Sequence, residues 1–165
     1  MSLPNWHWML SKPQYTLALG LGAGLSPKAP GTVGSLLGFP LYYLLSGLNI
    51  TGVLPFMILA LFILGIPLCH TTGKALGESD HSAIVWDEIV AMAWVLSMTP
   101  HSLTWQMAAF ALFRFFDIVK PWPIRYVDRT IKNGFGVMLD DLLAAGFSIV
   151  ILWLATSLTQ DQVIF

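Results

Sequence analysis

Charge is nearly absent from long parts of this chain, and that absence limits what the chain can fold into. Five apolar stretches, residues 33–48, 53–69, 84–98, 103–119 and 137–158, are separated by short connections. Hydrophobic residues make up 56% of the 165 and charged residues only 10%, against roughly one quarter charged in an average soluble protein. A soluble chain of this size needs a solvated polar surface, and eight basic and nine acidic residues cannot cover one. Lipid is the better solvent. The expected fold is therefore all-α, an integral membrane helical bundle with about five apolar helices. It forms one domain over residues 1–165, with an interfacial segment at 1–14 and a tail at 159–165. Several stretches fall short of the ~20 residues that span a bilayer comfortably, so the third and fourth are expected to be partly embedded.

The connections are of two kinds. Residues 49–52 and 99–102 carry no formal charge, whereas 14–32, 71–83 and 120–136, with the helix ends beside them, carry nearly all of it. If the stretches alternate across the membrane, Lys12, Lys28, Lys74, Arg114, Lys120, Arg125, Arg129 and Lys132 fall on one side. The positive-inside rule makes that side cytoplasmic and places the tail, with Asp161, outside. No basic patch of the kind that binds nucleic acid is present. Cys69, the single cysteine, lies in an apolar run and reads as a buried thiol. Residues 1–14 hold no continuous apolar run, so no cleavable leader is expected. Gly34 and Gly38, four apart, and the group Ala144, Ala145, Gly146 and Ser148 read as close-packing faces.

Charges inside membrane segments are costly, so their placement needs a reason. Asp87 and Glu88 begin the third stretch and Asp140 and Asp141 begin the fifth, while Arg114, Asp117 and Lys120 close the fourth at i, i+3 and i+6. Five carboxylates from three helices thus converge on one layer. Clustered carboxylates repel one another unless a cation sits among them. An all-oxygen site suits Mg²⁺ or another hard divalent ion, which often bridges to a phosphate. Asp87, Glu88, Asp140 and Asp141 are the expected metal ligands and supply the base, and Asp117 is expected to orient Arg114 or Lys120. Arg114, Lys120 and Lys28 would stabilise phosphoryl oxygens, and Arg125 and Arg129 would hold anionic headgroups. Acids in a first helical turn are also favoured by the helix dipole alone. The loop from Ser26 to Thr32 places Lys28, with hydroxyl groups and a glycine, at a helix start that is able to hold an anion, although an N-cap by Thr32 explains it equally well. His81 suits a hydrogen bond within its loop.

Longer blocks add to this reading. Gly24-Leu25-Ser26-Pro27 leads to Pro30-Gly31-Thr32-Val33-Gly34-Ser35, and Asp80-His81 leads to Ile84-Val85-Trp86-Asp87-Glu88. Further on stand Phe113-Arg114-Phe115-Phe116-Asp117-Ile118-Val119-Lys120-Pro121-Trp122-Pro123-Ile124, Asp128-Arg129 and Gly134-Phe135-Gly136-Val137-Met138-Leu139-Asp140-Asp141. In kind, order and spacing these blocks resemble the phosphatidylglycerophosphatase A family of bacterial membrane lipid phosphatases, over nearly the whole chain. Two positions depart from the pattern. Asn133-Gly134 replaces a glycine pair, which is harmless if the turn needs a left-handed residue. Ala91 stands where a glycine is expected, which loosens one helix contact.

The resemblance implies an all-helical bundle in the bacterial inner membrane that uses Mg²⁺ to hydrolyse phosphatidylglycerophosphate to phosphatidylglycerol and inorganic phosphate. The expected chemistry is direct attack by a water that the metal or a carboxylate activates, at the cytoplasmic face. Marks of other phosphatase chemistries are missing: no Arg lies five residues after Cys69, and no Asp-x-Asp pair follows an apolar strand. The Asp-Gly-x-x-Ala-Arg signature of phosphatidyltransferases is also missing. A small ion- or proton-coupled transporter is the alternative from another class, but it calls for ionisable positions at mid-depth or on the far side. A non-catalytic protein that binds anionic lipid would bind without releasing phosphate.

Overall fold

A computed structural model describes residues 4–48 and 52–159. The connection at 49–51 and the tail at 160–165 lie outside the described residues. Among the described residues the chain is helical throughout and contains no strand. Each of the five apolar stretches is one helix. With three short helices they give the order α1 (Trp6–Leu10), α2 (Pro13–Ala18), a 3-10 segment (Gly20–Leu25), α3 (Pro30–Ser46), α4 (Leu54–Leu76), α5 (Trp86–Ser97), α6 (Leu103–Val119), α7 (Ile124–Thr130) and α8 (Gly134–Thr159).

Among the described residues, two of the five are long and apolar enough to cross a membrane. α4 has 23 residues and α8 has 26, each with an 18-residue window of mean hydropathy 2.0. At 1.5 Å per residue they reach about 34 and 39 Å, beyond the ~30 Å hydrocarbon core. Just 22% and 28% of those windows are buried against the rest of the protein. A soluble core helix of similar composition would be hidden; these turn Phe56, Ile63, Val150 and Trp153 outward.

α5 owes its apolar character to a different cause. It has 12 residues, about 18 Å, and eight of them are buried. A helix that is hydrophobic on all sides is a core helix, and α5 forms the axis on which Met92, Leu96, Phe113 and Leu152 meet with no more than 2% exposure. Its neighbours approach closely because the sequence supplies small residues. A methyl at Gly38 would lie 2.6 Å from the Met92 Cβ, and one at Gly34 would lie 2.7 Å from the Val85 Cβ. The glycine pair is thus the face that lets α3 lie on α5. On α8, Ala144, Ala145 and Ser148 are fully buried as expected. Gly146 is not part of that contact, since open space surrounds it. Cys69 is buried with its sulfur 3.8 Å from the Met138 sulfur.

Helix ends are set by local chemistry. α4 runs past its apolar stretch through polar residues to Gly77, which adopts φ 80° while Glu78 N donates back to Gly73 O at 3.0 Å. α8 starts at Asn133, whose Oδ1 accepts from Phe135 N and Gly136 N at 3.0 and 3.1 Å. The asparagine serves as a cap; it is not among the residues with positive φ, so the turn does not call on its tolerance of the left-handed region. Ala91 is 4% exposed and sits inside the core.

Candidate active site

The acids at the start of α5 and within α8 meet, but in two groups. Asp87, Glu88 and Asp141 each offer a carboxylate oxygen within 4.8 Å of the others. Asp80, Asp128 and Asp140 form a second group within the same limit. Asp140 therefore does not join Asp87 and Glu88 as anticipated. Consecutive residues on an α-helix point about 100° apart, so Asp140 and Asp141 face different neighbours. Adjacency in sequence conceals this.

The first triad is deeply buried, with Asp87 at 6% and Asp141 at 4% exposure. Its partners come from two more helices. On α6, Arg114 pairs with Asp117 one turn on and lies 4.0 Å from Glu88 Oε1. On α3, Ser35 Oγ accepts from Arg114 Nη1 at 3.2 Å and donates to Gly31 O at 2.8 Å. Gly31 lets the first turn of α3 approach: a methyl there would collide with Glu88 Oε1 and come within 3.3 Å of both terminal nitrogens of Arg114. Asp117 thus orients Arg114, and not Lys120. Asp87 Oδ1, Glu88 Oε2, Asp141 Oδ2 and Arg114 Nε are buried without a hydrogen-bond partner. Buried polar atoms are nearly always paired; three of these four are carboxylate oxygens, and the acids that carry them stand close enough together to hold a cation. The donor set is all oxygen and suits a hard divalent ion.

The second triad is already satisfied. Lys120 Nζ lies 2.9 Å from Asp128 Oδ1 and 2.5 Å from Asp140 Oδ2, and Lys132 stands 4.0 Å from Asp128. Burial raises the Asp80 carboxyl above its ordinary range, against the pull of Lys120. Burial works on Asp128 in the same direction, but its hydrogen bond from Lys120 and the nearby positive charges outweigh it and hold that carboxyl low. Burial would depress the Lys120 ammonium, yet Asp140 and Asp128 together push it well up. Lys120 caps α6 with φ 46°, a left-handed conformation that costs a non-glycine residue about 1–2 kcal/mol. Glycine usually fills such a place. Here the side chain that bridges two acids is what the conformation serves.

The other candidate residues stand outside both triads. Lys28 is exposed on the turn before Gly31. Thr32 is half-buried and does not cap α3, because that helix starts two residues earlier. Ala29 holds the cap position at φ 47° without a side-chain bond, and Pro30 at the first helical position supplies the fixed φ and needs no N–H partner. Arg125 and Arg129 are exposed on α7, with Arg125 Nη2 donating to Val119 O at 3.2 Å. His81 acts within its loop, where Nδ1 accepts from Ala83 N at 3.1 Å. Sequence reasoning missed Asp80, Asp128 and Ser35 as site residues. All three stand in the blocks that carried the family resemblance, which was the available signal.

The family model for phosphatidylglycerophosphatase A matches residues 16–156, a range that includes every carboxylate of both triads. The chain belongs to the phosphatidylglycerophosphatase A family. Among curated relatives, the phosphatidylglycerophosphatase A of Haemophilus influenzae is 49% identical over 148 residues, covering 87% of this chain and 89% of that protein. The phosphatidylglycerophosphatase A of Escherichia coli is 42% identical over 151 residues, covering 87% and 84%. No solved structure matches the chain.

Proposed function

We propose that this family member hydrolyses phosphatidylglycerophosphate to phosphatidylglycerol and inorganic phosphate at the cytoplasmic face of the bacterial inner membrane, using Mg²⁺. The observation that carries the reading is the group of unpaired carboxylate oxygens on Asp87, Glu88 and Asp141 beside the unpaired Nε of Arg114. These three acids would hold the ion. When bound, it supplies Lewis-acid stabilisation of phosphoryl charge and lowers the pKa of nearby water.

The remaining roles belong to the chain's own side chains. Arg114, fixed by Asp117 and Ser35, presents its guanidinium to the phosphoryl oxygens and gains strength as charge builds on them. A carboxylate of the triad takes the proton of the attacking water as the bond from phosphorus to the glycerol oxygen breaks. Lys28 and Thr32, at the start of α3, meet the headgroup. The exposed Arg125 and Arg129 of α7 hold anionic lipid at the surface. Asp140 is a second neighbour whose part is to keep Lys120 in place. α3, α5 and α6 pack with the two long helices as the embedded bundle, and the basic residues mark the cytoplasmic side.

Phosphate release from phosphatidylglycerophosphate in detergent tests the reading. Release should stop on chelation and return with Mg²⁺, and Asp141→Asn should reduce it to background while the protein still inserts. A rate unchanged by thorough chelation would remove the metal, and full activity in Asp141→Asn would remove the triad.

A further inference from the structure

One side of the first triad opens on apolar space. A cavity of about 290 Å³ lies among α4, α5 and α8, and Asp87 is the one charged residue in its wall. Leu59 and Phe62 of α4, Ala91 and Trp94 of α5 and Met138 of α8 supply most of the remainder. From Asp87 to Trp94 the wall follows seven residues of α5, about 10 Å along the helix axis. Leu59 is 52% exposed, so the α4 wall borders the surface that α4 turns outward.

Walls this apolar favour a hydrocarbon occupant over water, and the medium outside α4 is hydrocarbon. We infer that this cavity receives an acyl chain of the phospholipid whose phosphate is processed at the triad, so that the chain fixes the position of its own headgroup. The occupant follows from continuity. Asp87 belongs both to the cavity wall and to the carboxylate triad, so a chain lying along Ala91 and Trp94 brings its polar end to the acids. The glycerol arm that separates the terminal phosphate from the acylated glycerol supplies the reach between the two. The inference rests on the substrate proposed above.

Two measurements on the full chain in lipid nanodiscs test it. In the first, a substrate analogue with a photoreactive diazirine near the middle of one acyl chain is irradiated and the adducts are mapped. Labelling should concentrate on Val90, Ala91 and Trp94 and should be competed away by unlabelled phosphatidylglycerophosphate. Labelling only of outward residues such as Phe56 and Ile63, or labelling that substrate does not compete, overturns the inference and points to bulk lipid.

In the second, kcat/KM for the diacyl substrate is divided by that for the deacylated headgroup, which has no chain to place. Ala91→Leu and Leu59→Trp narrow the cavity from opposite walls. The ratio should fall about tenfold, since an ångström of misplacement at a reacting centre costs up to ~10²-fold. A ratio that stays at the wild-type value in both variants, with cavity labelling lost, overturns the inference. Failure of the wild type to release phosphate from either compound overturns the substrate reading itself, and that control separates the two failures.

Discussion

The two triads are each built from three acidic side chains and share α8, yet only one has a cation bound within it. In the group of Asp80, Asp128 and Asp140, the ammonium of Lys120 makes two short contacts and neutralises much of the charge. In the group of Asp87, Glu88 and Asp141, the available cation stands back. Arg114 is bound to Asp117 and Ser35, and its closest approach to the triad is 4.0 Å. Three buried carboxylate oxygens are then left without partners. A buried polar network is stabilising when complete and costly when incomplete. The contrast therefore separates a group closed by its own lysine from one whose carboxylates are free to take a metal ion.

Replacing the two cations should break the comparison most widely. Arg114→Ala should lower kcat by about 10³-fold, as loss of a phosphoryl-clamping arginine does, with a modest change in melting temperature. Lys120→Met should do the reverse. Breaking the pair leaves Asp140 buried without its counter-ion and should lower stability by up to about 3 kcal/mol in a denaturation curve, with Lys120→Arg recovering part of it. Equal effects of the two substitutions on activity and stability would erase the distinction.

A smaller effect should carry the opposite sign. With chelator present, Asp87→Asn should raise stability by about 1 kcal/mol, because it removes a carboxyl whose ionised form burial and acidic neighbours disfavour. Added Mg²⁺ should then stabilise the wild type but not the variant. A melting temperature lowered by Asp87→Asn in chelator would mean that the first triad is structural as well. The smallest change is expected at Asn133→Ala, which removes the cap that starts α8. It should cost about 1 kcal/mol and leave the ratio of activity to folded protein unaltered.

Much of this arrangement was legible in the sequence. Apolar runs located all five long helices, because burial in lipid and burial in protein select the same residues. For the same reason they overstated the crossings: α5 reads as an apolar stretch but is a 12-residue core helix. That Asp87, Glu88, Asp141, Arg114 and Asp117 come together was readable, since charge in an apolar segment needs a partner. The division into two triads was not, because it depends on the rotation of α8 relative to α5 and α7, which periodicity alone does not fix. Asp80 and Asp128 lie in a loop and a short helix, where acids are ordinary, and only their grouping with Asp140 around Lys120's partners distinguishes them.

Asp140 and Asp141 are neighbours on one stiff rod, and this gears the two triads together. A roll of α8 about its own axis moves both carboxylates at once, so neither triad can be adjusted while the other stays still. Through Asp140, Lys120 and Asp128 the train continues to α7, whose exposed arginines face outward. A pull on that surface helix thus has a mechanical route, through three side chains and one helix, to the oxygens that would grip the ion.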